Sequence, residues 1–371
     1  MIKKAAIVLL SLILMTVSCN PFLAQSSSLN AVKLNDSIAV SFPDSIRFNL
    51  GIETDIAIKD VRLHFFVERA NFSEVTQEII LYVNPLPQRY YEFSWEWDMR
   101  TTGTMPSGTV IRYWWSVIDI SDNLYLTEIT PFSFNDGNYN WQNLNENNVS
   151  LYWYQGSTKF AAELMETCQD TLLRLGESTG SYLEFPIRIY IYSSSSALRK
   201  AMLFAKEWTG GVAYPAYGVI AIGISTTSVE WGKRALAHEI AHLVTHQMTS
   251  NPYNSIPIWL NEGISMYAEG DLESEYEYFL KSAVTDGTLL SVQSLCSPFS
   301  AAPELGYLSY AESYSLVAFL IEEYGQAKIH ELLRVFKNGS TYDNAFLEVY
   351  GFDLKTLNTK WHSYISGVYA N

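Results

Sequence analysis

The sequence has little cysteine, little positive charge and little histidine, and it has no apolar run long enough to span a membrane comfortably. Only three cysteines occur, Cys19, Cys168 and Cys296, so no dense disulfide framework organises the chain. Lys and Arg number 24 against 39 Asp and Glu, giving a net charge of −15. No basic stripe breaks that balance, which excludes nucleic acid as a partner. Charged residues make up only 17% and hydrophobic residues 48%, so a chain of 371 residues can bury two cores. The 25 Tyr and 10 Trp suit half-buried sheet faces.

The first residues read as an export signal. Lys3 and Lys4 precede the apolar run Ala5 to Val17, which is too short for a membrane span. The run ends at Thr16-Val17-Ser18-Cys19, which resembles a bacterial lipobox. That resemblance implies cleavage before Cys19 and a lipid on its side chain. Residues 1–19 are then a lipoprotein-like signal segment, and the mature protein is exported and held at the membrane through Cys19. The alternative is plain secretion after cleavage near Ala24. Cys168 and Cys296 either pair or stay as two thiols.

Residues 30–135 read as an all-β domain. Strand-like runs recur at Ile38–Phe42, Ile46–Leu50, Ile56–Glu68, Ile79–Val83, Arg89–Trp97, Val110–Ile120 and Leu124–Phe134. Turn signals such as Phe42-Pro43-Asp44 and Asn84-Pro85 separate them. Short strands at this density predict an immunoglobulin-like or fibronectin-like sandwich. Asn135-Asp136-Gly137-Asn138 and the stretch Asn143 to Asn148 read as the junction. Residues 145–371 then read as an α+β domain. Its first elements are a strand at Leu151–Tyr154, a helix at Thr158–Leu175 stopped by Gly176, a strand at Pro186–Tyr192, a helix at Ser195–Trp208 and a strand at Tyr217–Ile224.

The chemistry is concentrated at His238-Glu239-Ile240-Ala241-His242. On a helix, residues four apart share a face, so two imidazoles converge on one metal ion. Glu239 is offset by one position and reaches a water molecule without being a ligand. Catalytic zinc needs a third protein ligand and one open position. His246 is four residues further on, but a straight helix puts it about 12 Å from His238 along the axis. Glu262, within Trp259-Leu260-Asn261-Glu262-Gly263, is the better candidate, because Pro252 and Pro257 mark a turn that lets a second helix return. Among nearby residues, Asn261 and Glu269 read as helix-surface or capping residues, and Ser265 and Tyr267 stay unassigned. Gly210-Gly211 reads as a turn or as a loop approaching the cleft.

This combination resembles the gluzincin zinc metallopeptidases, and the C-terminal half looks like their peptidase-MA-like branch. Trp259 to Gly263 is similar to the third-ligand motif of aminopeptidase N-like and leukotriene-hydrolase-like enzymes. In that group a Tyr at the head of a following helix hydrogen-bonds the oxyanion. Tyr310, in Leu308-Ser309-Tyr310-Ala311-Glu312-Ser313-Tyr314, takes that place, with Tyr314 as the alternative. The resemblance implies one Zn2+ held by His238, His242 and Glu262, Glu239 as general base, and a peptide or protein substrate. Aminopeptidases of the group carry a carboxylate on the strand before the zinc helix. The matching strand here, Tyr217 to Gly223, has none, which favours an endopeptidase. Its backbone remains able to pair with an extended substrate. Two other readings are a catalytically silent surface binding protein with a residual zinc site, and a cell-wall amidase.

Overall fold

The computed structural model describes residues 32–69, 73–84, 86–206, 209–253 and 255–369. The expected signal segment, residues 1–19 with Cys19, lies outside the described residues.

The N-terminal region is β-rich. Strands β1 (Lys33–Ser41), β2 (Ser45–Glu53), β3 (Ile58–Val67), β4 (Gln77–Leu81) and β5 (Tyr90–Asp98) are followed by the short helix α1 (Met99–Thr102). Then come β6 (Thr109–Asp119), β7 (Leu124–Leu126) and β8 (Thr130–Phe134). One sheet has the order β1-β2-β5, and the other β4-β3-β6-β7 with β8 also paired to β6. The alternation visible in the sequence explains the core: Ile46, Phe48, Leu50 and Ile52 of β2 face Leu63, Phe65, Tyr113 and Trp115. The expected strand Leu124–Phe134 is two strands, broken at Thr127, whose hydroxyl accepts from the Trp115 amide.

The C-terminal region is a mixed sheet covered by helices. Strand β9 (Gln142–Glu146) lies within the expected junction and forms a hairpin with β10 (Val149–Trp153), the strand expected at Leu151–Tyr154. Helix α2 (Thr158–Thr179) leads to β11 (Ile187–Tyr192), α3 (Ser195–Lys200), β12 (Gly211–Tyr214) and β13 (Val219–Gly223). The sheet order is β12-β13-β11-β10-β9, so β12 is an edge strand. The α2 helix does not stop at Gly176. It runs to Gly180, which takes the left-handed capping conformation, while Gly176 packs under the Tyr182 ring. The α3 helix ends far short of Trp208, because Phe204 already sits at a left-handed φ of 59°.

Helices α4 (Val229–Thr249), α5 (Ile258–Glu269), α6 (Ser274–Asp286), α7 (Pro303–Tyr324), α8 (Gln326–Lys337), α9 (Tyr342–Tyr350) and α10 (Leu354–Tyr369) complete the fold. Leu236, Ile240, Leu243 and Val244 give α4 its buried stripe against α2 and the sheet. At Gly263 of α5, an added Cβ would lie 2.3 Å from the Ser313 carbonyl oxygen of α7. Only glycine allows that crossing, which brings the α7 face bearing Tyr310 beside Glu262. Cys168 is buried in α2 and Cys296 is half-buried, donating to the Val292 carbonyl at 3.4 Å; neither forms a disulfide.

Glu312 of α7 is fully buried; one carboxylate oxygen accepts from the Leu290 amide at 3.0 Å, and the other has no partner among the described residues. Burial, opposed only by that one hydrogen bond, pushes its pKa up to about 8 from an ordinary 4.5. Between those two values the folded state holds a proton that the unfolded chain releases, so this group's stabilisation falls as pH rises through the window. Glu312→Gln is expected to remove that dependence and to be more stable than the parent at pH 8.5 by roughly a few kcal/mol at most, seen as a higher unfolding temperature. Thermal unfolding at pH 5.5 and 8.5 checks this, and an equal pH dependence in both proteins would refute it.

Candidate metal centre

His238 and His242 project from one face of α4, with ring centroids 4.6 Å apart and planes at 86°. Their Nε2 atoms each lie 3.4 Å from Oε2 of Glu262 on α5. Tetrahedral zinc sites with nitrogen and oxygen ligands near 2.1 Å separate those ligands by about 3.4 Å. The spacing therefore fits a zinc ion, and these three residues are a group able to hold a metal among the described residues. Glu262 Oε2 is buried and has no hydrogen-bond partner among the described residues, which is a costly state unless a cation satisfies it.

The electrostatics point the same way. Burial works against a charge on His238, but the facing carboxylates of Glu262, Glu269 and Glu239 outweigh it and push its pKa up to about 10. Burial works against the Glu262 carboxylate too, yet His242 and His238 hold its pKa well below the usual carboxylate range. The trio is built around positive charge.

The other nitrogen of each imidazole is tied down. Glu269 Oε1 lies 2.8 Å from His238 Nδ1, and Ser265 Oγ lies 2.9 Å from His242 Nδ1. Ser265 also donates to the Asn261 carbonyl at 3.0 Å. With Nδ1 engaged, each Nε2 is left to face Glu262, an arrangement that fixes ring orientation around a metal. Glu269 is thus not the helix-surface or capping residue that its position near the end of α5 suggests. It is in turn 3.5 Å from Arg234, which also pairs with Glu273 at 2.9 Å. The signal was present in the spacing: Ser265 and Glu269 follow Glu262 by three and seven residues, so all three share one helix face.

Glu239 points to the edge of the sheet. A Cβ added to Gly211, the first residue of β12, would lie 2.9 Å from Glu239 Oε1. Gly211 is therefore neither a plain turn nor a loop; it opens the edge strand above the carboxylate. The strand that borders the cleft is β12, not Tyr217 to Gly223, which forms the inner strand β13 behind a single turn at Pro215–Tyr217. The residues Gly211-Val212-Ala213-Tyr214 also contain no carboxylate.

Tyr310 lines the same cleft, with its ring centroid 6.4 Å from that of His238. It stands two turns inside α7 rather than at its head, since the helix starts at Pro303. Burial, together with Glu262 and Tyr276, pushes its hydroxyl pKa well above the usual range, so it keeps its proton at neutral pH. Tyr314 packs on Tyr267 at 5.9 Å and lines a separate depression beside Glu322 and Tyr364. His246 lines the cleft but stands apart from the ligand trio.

Residues 167–367, more than half of the chain, match the family model described as Peptidase MA superfamily. The chain belongs to this family. The match takes in α4, α5 and α7, and with them every residue of the trio, and it identifies a peptidase-like hydrolase. No curated protein matches the chain. Among solved structures, aminopeptidase A of Legionella pneumophila in complex with aspartic acid aligns with 90% of this chain at 10% identity and a TM-score of 0.42, and this chain spans 49% of that enzyme. OgpA from Akkermansia muciniphila aligns over 28% of each chain at 15% identity and a TM-score of 0.21. The putative ApaA protein from Bordetella pertussis aligns over 29% of this chain and 97% of its own length, at 10% identity and a TM-score of 0.22.

Proposed function

We infer that this Peptidase MA protein is a zinc-dependent endopeptidase acting outside the cell. The observation that carries the reading is the unpartnered Glu262 Oε2, 3.4 Å from two imidazole nitrogens whose other faces are pinned by Glu269 and Ser265. His238, His242 and Glu262 would hold the ion. Zinc, when bound, supplies Lewis acidity that acidifies water and polarises a carbonyl.

The remaining work falls to the chain itself. The free edge of β12 pairs with the backbone of an extended substrate and sets its depth in the cleft. Glu239, directly beneath Gly211, accepts a proton from the attacking water and returns it to the leaving amine. The protonated Tyr310 hydroxyl donates to the carbonyl oxygen as negative charge develops there. The absence of a carboxylate on β12 removes an anchor for a free amine and supports cutting within chains.

Purified protein is expected to carry about one zinc per chain. Glu262→Ala is expected to lose it, because two imidazoles leave the site one ligand short. Elemental analysis decides: retention of zinc in Glu262→Ala alongside its loss in His246→Ala would transfer the third-ligand role to His246.

Export rests on Lys3, Lys4, the apolar run to Val17 and Cys19. A diacylated Cys19 would supply two chains for stable anchoring. The expected mature N-terminus is a lipid-modified Cys19; mass spectrometry finding an unmodified N-terminus at Gln25 would refute the anchor.

A further inference from the structure

The cleft does not end at the metal centre. It encloses about 830 Å3 and runs on past His242 along the last two turns of α4 to the loop before α5. His246, Thr249, Ser250, Pro252, Tyr253 and Ile256 line this branch. Among the described residues, no Asp, Glu, Lys or Arg lines it beyond Glu262. Burial holds the His246 pKa below its ordinary value, so this imidazole is neutral at pH 7. The start of the loop beyond α4 is tied down by Asn251. Asn251 donates to the Phe336 carbonyl at 2.9 Å and accepts from the Tyr253 amide at 2.9 Å.

The direction of a bound chain follows from β12. Gly210 sits under Trp231 and Gly211 above Glu239, while Pro215 shares the cleft with His246. The strand therefore runs in the same sense as α4. The pairing of β12 with β13 is antiparallel, and a substrate added to the other edge in the more stable antiparallel sense runs opposite to β12. Its residues before the scissile bond then pass His246 and Ser250, and its residues after the bond leave by Gly210 and Trp231. From His242 to Thr249 the helix rises about 10 Å. That length accommodates about three residues of extended chain at about 3.4 Å each.

We propose that this neutral branch binds the three residues preceding the scissile bond and selects uncharged side chains there. The inference rests on the peptidase reading above and adds to it the substrate class: internal segments with at least three uncharged residues before the cut. A charged side chain in the branch would be removed from water with no opposite charge to meet it.

The test is a set of N-acetylated, C-amidated peptides with one cut site, carrying one to four uncharged residues before the bond. They are assayed for hydrolysis by the parent and for affinity to the zinc-loaded Glu239→Gln protein. The kcat/KM is expected to climb about tenfold or more from one to three residues and then level off, since remote binding energy is used at the reacting bond. Asp or Lys at the third position is expected to reverse most of the gain. Ser250→Trp, which fills the branch, is expected to bring the longest peptide down to the rate of the shortest. Hydrolysis that is indifferent to length before the bond, or that rises only with residues after it, overturns the inference and leaves the peptidase reading standing. Affinity that climbs with length while no peptide is cut supports the branch and overturns the peptidase reading. Neither cutting nor length-dependent affinity overturns both.

Discussion

Glu239→Gln is expected to lower kcat by about two to four orders of magnitude while zinc stays bound. Glu239 is not among the three residues around the candidate metal position; its carboxylate lies under Gly211 at the start of the edge strand. Gln has nearly the same shape, so the cleft floor and the contact with Gly211 persist. What is lost is a base: a neutral amide accepts no proton from the attacking water and has none to hand to the leaving amine. The ligand set is untouched, so elemental analysis should find the parent's zinc content. The paired measurement matters, because loss of metal and loss of base would both abolish turnover. A variant that keeps near-parent kcat would show that another group moves the proton, and one that loses its zinc would show that Glu239 is a ligand.

The pattern of what could be read beforehand has a physical basis. Side chains that must converge on one ion obey helical spacing, so His238, His242 and Glu239 announce their geometry directly. Glu262 needed a turn and a returning helix, and Pro252 and Pro257 signal both. Ser265 and Glu269 obey the same rule on α5, but a lone mid-helix serine carries no local signal, and a glutamate at the helix end has an ordinary surface or capping role that hides a structural one. The two strands that went unseen are polar or short. Every residue of β9 but Leu144 is exposed, so it shows no alternation, and its turn depends on Asn147 at a left-handed φ of 49°. The four residues of β12 make an edge strand too brief for any periodicity. That edge is the one facing the cleft, and tertiary position rather than local pattern defines it. In the N-terminal region, by contrast, strongly alternating strands such as β2 and β6 appear close to their expected bounds, because burial on one face imposes a period of two.

Tyr310→Phe is expected to cost about 10²–10³-fold in kcat, with zinc retained and KM little changed. The substitution deletes one hydroxyl from a ring that lines the metal cleft and leaves its aromatic contacts with Phe299 and Tyr276 in place. Its hydroxyl is held protonated by burial and by Glu262, so it is a donor at neutral pH. Such a donor stabilises charge that exists on the carbonyl oxygen only near the transition state, which is why the loss belongs to kcat. Tyr314→Phe provides the control. The two tyrosines are four residues apart on α7 and share a helix face, so spacing alone does not separate them. Their surroundings do: Tyr314 packs in a tilted pair against Tyr267 and faces a depression bounded by Glu322 and Tyr364, away from His238. Its hydroxyl is expected to be nearly silent in kcat. Steady-state kinetics on both variants, at matched zinc content, decide between them. A collapsed kcat for Tyr314→Phe beside a near-parent value for Tyr310→Phe would move the oxyanion role one turn along the helix and require the cleft to be reshaped when substrate binds.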